Sequence, residues 1–349
     1  MGSLGLTAMD GDAVRDEQVP LVGWLPIAID LRVYAEHVTW LFFGREPLAE
    51  PMFADSVSRL KRRVNGVPIN ITGLPSLATF NSPLLPTGFV FHVSKCGSTL
   101  LANALKAFRG TVVVSEAPAF APLLAPSEAS RNSSCTHWGC TREDLLSGAL
   151  AAFRQPRIGD ETGCVLKFSS WQILSLSLLR RLWPNVPCLV VVRDPVEVMV
   201  SCLRNPPGWL TFKNNPRFAS HVFGWAPEDV ESMSDETFCA RGIDAFLRAA
   251  IEHVSPSCRV VDYEDLTEAL VIRIARFFGL ECAHTELQYL SRCFQIDSKD
   301  PRQEREFCDD RAFKRTIATA TIYDEARRWS TGSYRTLKGQ QQLVNASIL

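Results

Sequence analysis

From residue 87 onward the chain alternates short, unbroken apolar runs with longer amphipathic stretches. The runs are Gly88–Val93, Thr111–Val114, Gly163–Phe168, Cys188–Val192 and Cys258–Tyr263. They are apolar at consecutive positions and rich in β-branched residues, the pattern of strands covered on both faces. Between them the spacing predicts helices over Ser98–Phe108, Thr141–Phe153, Trp171–Trp183, Pro195–Leu203, Ser234–Val254 and Leu266–Phe278. Thr141 with Glu143 and Asp144 in the next turn is a helix start, and so is Asp194-Pro195. Alternation on this scale predicts an α/β domain with a mainly parallel central sheet between layers of helices.

Residues 19–86 lack that regularity. Trp40–Phe43 is apolar and Arg59–Arg63 basic, and the segment reads as a lead-in packed on a main body of residues 87–349. Residues 1–18 are polar and read as a flexible tail. Two long connections interrupt the main body, 117–140 and 205–232. The second carries Pro206, Pro207, Pro216 and Pro227 among the aromatics Trp209, Phe212, Phe218, Phe223 and Trp225. Connections of this length serve as lids or binding loops. The stretch 297–315 has 12 charged residues in 19 and reads as a solvated face.

Composition narrows the function classes. Hydrophobic residues are 46% and charged residues 21% of 349, an ordinary globular balance. Lys+Arg is 37 against Asp+Glu 38, a net charge of −1. Such a chain has no bulk attraction to nucleic acid or anionic membrane, and polyanionic polymers are poor substrates for it. No run approaches the roughly 20 apolar residues of a membrane span, and the N-terminus has no signal-peptide core. A cytoplasmic location is therefore expected, with the 11 scattered cysteines reduced. Cys135, His137 and Cys140 read as an ordinary loop rather than a zinc site.

Two segments carry chemistry. In Phe89–Leu101 an apolar strand enters a tight turn, Lys95-Cys96-Gly97-Ser98-Thr99, that opens a helix. Backbone N–H groups at such a turn cradle an anion; the Ser98 and Thr99 hydroxyls add donors and Lys95 a charge at the rim. A nucleotide triphosphatase would place its Lys after the second Gly of G-x-x-x-x-G-K-[ST]; here Lys95 precedes Gly97. In Cys188–Ser201 a buried strand ends in Arg193, and Ser201 follows eight residues later on the next helix. An Arg fork and a Ser hydroxyl so placed can meet one phosphate.

Together these segments resemble the PAPS-dependent sulfotransferases, over about residues 87–280. The turn is similar to their 5′-phosphosulfate loop. Arg193, the proline two residues on and Ser201 are similar to their 3′-phosphate site. Val260–Leu266 resembles a late strand-to-helix passage in which Asp265 would cap. The resemblance implies a P-loop-like three-layer α/β sandwich, 3′-phosphoadenosine 5′-phosphosulfate (PAPS) as donor, and sulfuryl transfer without a metal. It also implies a small-molecule acceptor, with no nucleic acid or membrane partner. The chain departs from the cytosolic phenol and steroid enzymes in three places. Leu100 stands where they keep an adenine-stacking Trp, and Ser169 stands at the slot of their catalytic His. Their late Arg-Lys-Gly motif has only Ser330–Arg335 as a faint counterpart.

The missing His moves the base to another strand end. Glu116, after Thr111–Val114, matches the Glu base of carbohydrate and tyrosylprotein sulfotransferases, with His137 and His221 as alternatives. Lys95 would then be catalytic together with Glu116. Lys95, Cys96, Gly97, Ser98, Thr99, Arg193 and Ser201 would bind the cofactor, with Lys167 as a helper. The residues leave three other readings open: a nucleotide kinase or triphosphatase, a cysteine nucleophile built on Cys96 and His92, and a non-catalytic nucleotide-binding protein. The aromatic connection 205–232 favours a small, partly apolar acceptor. Oligomeric state is not legible.

Overall fold

The five apolar runs become the five strands of one parallel sheet: β4 (Gly88–His92), β5 (Thr111–Ser115), β6 (Gly163–Lys167), β7 (Cys188–Val192) and β8 (Cys258–Asp262). The computed structural model describes residues 22–32, 34–63, 66–80, 86–125, 139–282, 285–300, 302 and 304–346, with side chains to 340. The expected tail, Cys135 and His137 lie outside them. Strand order is β5-β6-β4-β7-β8, every pair parallel. Every residue of β4, β6 and β7 is buried, while the edge strands β5 and β8 are partly exposed. Only the central strands therefore need to be apolar at every position.

The order dictates where helices go. The connection leaving β4 runs outward over β6 to β5, whereas those leaving β5, β6 and β7 run the opposite way. Right-handed crossovers then place the first helix on one face and the later ones on the other. Accordingly Ser98–Leu105 packs with Glu268–Phe277 and Leu287–Gln295, and Asp235–Ile251 packs with Pro195–Arg204 and Ser330–Ala346. The expected α/β sandwich with a parallel centre is what forms. All five strands end on the same edge, where ligand crevices of open α/β sheets lie.

The lead-in is more ordered than its sequence suggests. It forms a three-stranded antiparallel sheet of β1 (Trp24–Asp30), β2 (His37–Phe42) and β3 (Ile69–Thr72), with a helix over Phe53–Lys61. Pro26 interrupts the strand pattern, and the register shifts between Pro26 and Ala28, as expected where a ladder donor is missing. This sheet shares the main core. Phe53 stacks on Phe43 at 5.6 Å and meets Phe153 edge-on at 5.2 Å. Gln155 clamps it further, accepting from Gly23 N–H at 2.8 Å and donating to the Trp24 carbonyl at 2.7 Å.

Two local expectations are corrected. Thr267, not Asp265, caps the helix after β8, its hydroxyl accepting from Leu270 N–H. Ser330–Arg335 lies in the helix Ser330–Ala346, where Tyr334 donates to Asp262 at 2.5 Å and Ser333 to Asp244; it serves the fold. Among the described residues no helix is long and apolar enough to cross a membrane.

Candidate active site

The turn after β4 is wound in a conformation side chains avoid. Ser94, Lys95 and Gly97 have φ of +74°, +47° and +80°. A turn wound in this way can present the N–H groups that follow Ser94 to an anion as a nest, and strain of this kind collects at functional sites. Gly97 is required twice: by its φ, and because a Cβ there would come within 2.5 Å of the Tyr263 ring. Gly97 stands at the N-cap of Ser98–Leu105 and no side chain caps that helix, so its first N–H groups remain for a ligand. Cys96 takes no chemical part. Its thiol is buried, donates to the Val191 carbonyl at 3.1 Å, and is pushed up by burial to about 11. A thiol so held is not a nucleophile.

A cavity of about 1010 Å³ opens over this turn. It is lined by Lys95, Cys96, Gly97, Ser98, Thr99, Glu116, Ser169, Arg193 and Ser201 together with His92. The expected donor residues and Glu116 are therefore brought to one space, and Leu100 lines it as well. His221 is not among the lining residues; it lies on an exposed position of Pro216–Phe223, with its Nδ1 at 2.7 Å from the Arg217 carbonyl.

Glu116 follows β5 with φ +54°. Lys167, whose side chain is fully buried, makes an ion pair with its Oε1, and His92 Nε2 lies 3.4 Å from the same oxygen. Lys167 does not line the cavity; it holds Glu116 from behind. Ser94 N–H donates to His92 Nδ1 at 3.1 Å, so the neutral ring carries its proton on Nε2, facing the carboxylate. Burial keeps His92 below its usual range and therefore neutral. Burial also pushes the Glu116 carboxyl up, but Lys167 and His92 outweigh it and hold the group well below the usual carboxylate range. Both contacts fall on Oε1, and Oε2 has no protein partner among the described residues.

Most charged residues of the charge-dense stretch are exposed, as a solvated face requires, but the stretch also folds back against the cavity. Ile296 and Glu306 form a bridge that closes a hairpin, with Asp297 N–H donating to the Arg305 carbonyl and Phe307 N–H to that of Gln295, both at 2.7 Å. The Asp300 carboxylate gathers the N–H groups of Arg302, Glu304 and Arg305 at its tip. Asn103, on the helix that leaves the nest, donates to the Ser298 carbonyl at 2.9 Å. This strap brings Lys299 into the cavity wall beside Lys95. Much of Lys299 is solvent-exposed, but the crowding of its head group and then the charges of Lys95 and Lys167 lower it to about 8.

At the other end Arg193 is buried and already engaged. Its Nε donates to Glu197 at 2.7 Å, its Nη2 to Asp310 at 3.1 Å, and its guanidinium lies 4.2 Å from the Tyr263 ring centre. The Ser201 hydroxyl donates back to the Glu197 carbonyl at 2.8 Å. Asp310 and Lys314, from beyond the strap, line the same corner. Sequence reading missed Lys299, Asp310, Lys314 and Tyr263. The one signal for Lys299, Asp310 and Lys314 was the charge density of 297–315, which a surface would share; Tyr263 stood in the Val260–Leu266 passage without a sign of its role.

The connection 205–232 folds into short helices over Gly208–Asn214, Pro216–Phe223 and Pro227–Ser232. Its aromatics divide. Trp209, Phe223 and Trp225 anchor it on Phe238, with Trp209 and Phe223 also against Phe246. Phe212 and Phe218 form, with Trp171, an aromatic wall of the cavity, at centroid distances of 5.7 Å and 4.8 Å.

No family model matches the chain, and no curated protein matches it. Among solved structures it is similar to a sulfotransferase from Alicyclobacillus acidocaldarius, at 16% identity over 74% of this chain and 99% of that one, with a TM-score of 0.38. It is also similar to the sulfotransferase domain of the Synechococcus PCC 7002 olefin synthase, at 14% identity, 72% and 97% coverage, and TM-score 0.38. A sulfotransferase from Mycobacterium tuberculosis H37Rv matches at 17% identity over 62% of this chain and 73% of its own, with TM-score 0.32. At likenesses this distant, the residue roles in this chain rest on its own geometry.

Proposed function

We propose that the chain transfers the sulfuryl group of PAPS to a hydroxyl or amine of a small acceptor. The observation that carries this reading is the strained turn Lys95–Gly97 at an uncapped helix N-terminus, with Lys95 and Lys299 both at the cavity wall beside it. Like charges brought together make sense where an anion neutralises them. The residues fit the donor's phosphosulfate end: backbone N–H groups for a phosphate, lysines for the charge that grows on the departing oxygen. When bound, PAPS supplies an activated sulfuryl group on a phosphate oxygen.

The protein's part is positioning and charge stabilisation, as in phosphoryl transfer. The N–H groups around Gly97, Ser98 and Thr99 hold the 5′-phosphate, and Lys95 stabilises the leaving oxygen. Lys299 shares that work. Arg193 and Ser201 select for the 3′-phosphate. Lys167 and His92 fix the Glu116 carboxylate through Oε1, so that Oε2 receives the acceptor's proton. In a loose transfer that proton becomes acidic only as the new bond forms, so a carboxylate held low in basicity suffices. The aromatic wall of Trp171, Phe212 and Phe218 supports a partly apolar acceptor.

The test is incubation of purified protein with PAPS and metabolite pools, read by intact mass for products heavier by one SO₃ group. Calorimetry runs alongside with PAPS, its desulfonated product and ATP. Tighter, magnesium-dependent binding of ATP, with no sulfonated product, would turn the assignment to a nucleotide kinase or triphosphatase.

A further inference from the structure

The corner around Arg193 contains an anion of its own. Asp310 occupies the N-cap position of the short helix Arg311–Ile317, yet its side chain caps none of that helix's N–H groups. An acidic N-cap ordinarily accepts from the first turn, a contact worth about 1 kcal/mol. Here both oxygens go elsewhere: Oδ1 accepts from Arg193 Nη2 at 3.1 Å, and Oδ2 from Lys314 Nζ at 2.7 Å. The carboxylate bridges an arginine and a lysine as a phosphate would.

The neighbours show which member of this cluster can move. Glu197, with a side chain 2% exposed, fixes Arg193 through Nε and Arg315 through its other oxygen, and it does not line the cavity. The Tyr263 ring lies against the guanidinium. Arg193 and Lys314 side chains are 6% and 11% exposed, whereas Asp310 is 47% exposed. The anion is thus the outermost and least confined of the three. Arg204, Ser201 and Asn205 line the same cavity.

We propose that Asp310 is a built-in plug of a phosphate subsite, and that Lys314 is a second phosphate-binding cation there, freed when a phosphate monoester displaces the Asp310 carboxylate. This rests on the donor reading above, in which that monoester is the 3′-phosphate of the nucleotide. A phosphate near its second ionisation carries up to two charges and three acceptor oxygens against the single charge of the carboxylate, so it wins the exchange. A nucleotide without it leaves the plug in place. The device sharpens selection: Arg193 and Lys314 are unavailable to weaker anions.

The experiment is calorimetric titration of the full chain with 3′-phosphoadenosine 5′-phosphate and with adenosine 5′-phosphate. The variants are Asp310→Asn, Asp310→Ala and Lys314→Met, each checked by thermal unfolding. Asp310→Asn and Asp310→Ala should tighten the 3′-phosphorylated nucleotide about three- to tenfold, the scale of a part-exposed ion pair. They should leave adenosine 5′-phosphate within about twofold. Lys314→Met should weaken only the 3′-phosphorylated nucleotide, about tenfold. Unchanged or weaker binding in both Asp310 variants, or equal tightening of both nucleotides, overturns the plug. If the unaltered protein shows no preference for the 3′-phosphorylated nucleotide, the donor reading falls and the plug with it. A clear preference that the Asp310 variants fail to improve sinks the plug alone.

Discussion

The two ends of the cavity handle charge in opposite ways. Where β4, β5 and β6 end, Lys95 and Lys299 at the wall and Lys167 behind it surround one carboxylate, Glu116. Where β7 ends, Arg193, Lys314 and Arg315 meet Glu197 and Asp310 in close pairs. The first end carries uncompensated charge, three lysines against one carboxylate. In the second each of these cations is paired with a carboxylate of the protein. An unpaired cluster binds whatever anion arrives, whereas a paired one demands that a ligand outcompete a resident carboxylate. The first arrangement suits the reacting group and the second suits discrimination.

The largest expected effect tests the reacting end. Glu116→Gln should cut turnover by about 10²–10⁴, the range of a general base, with nucleotide affinity nearly unchanged. Near-normal turnover in a confirmed sulfuryl transfer would remove Glu116 from the role. At the discriminating end, Arg193→Ala should weaken PAPS binding by about 1.5–3 kcal/mol, the scale of a charge-assisted hydrogen bond. The loss should shrink for an analogue without the 3′-phosphate; an equal loss for both ligands would make the two ends alike.

Lys167→Met probes the hold on Glu116. Lys167 lowers the carboxyl, so its removal should raise that group's pKa and move the acidic limb of kcat/KM upward. An unmoved limb would mean that Glu116 does not govern the profile.

A smaller effect reads the unpaired charge directly. Lys299, lowered to about 8, is largely neutral in the free protein above that pH. A bound anion favours its charged form, so binding at higher pH should take up protons, up to about one per site. Calorimetry in buffers of different ionisation enthalpy measures the uptake, and Lys299→Met should abolish it. Persistent uptake in that variant would place the missing charge elsewhere. The smallest effect is expected at Cys96→Ser, which should retain turnover because the buried thiol faces the Val191 carbonyl while the backbone serves the nest. Loss of turnover in a folded, nucleotide-binding variant would revive the thiol nucleophile.

Legibility followed the range of the interaction. The strands of the parallel sheet were readable to within a residue because burial on both faces writes itself as consecutive apolar positions. The lead-in sheet was not, since Pro26 breaks its first strand and Phe42, Ile69 and Ile71 stay exposed on it. Aromatics in 205–232 were visible as a group, but their division between anchor and wall depends on where Phe238 and Phe246 lie.

The amino-acid sequence by itself determined the strand–turn–helix units, and with them the nest at Lys95–Thr99 and the spacing of Arg193 and Ser201. Each of these is set within a few residues by steric and hydrogen-bonding rules. Only the tertiary structure decided that Lys299 joins Lys95, that Asp310 reaches Arg193 from 117 residues away, and that Lys167 pins Glu116 across two strands. A lysine on a surface and a lysine in a site read identically along the chain. What separates them is which charges and backbone donors are placed opposite, and that is set by packing.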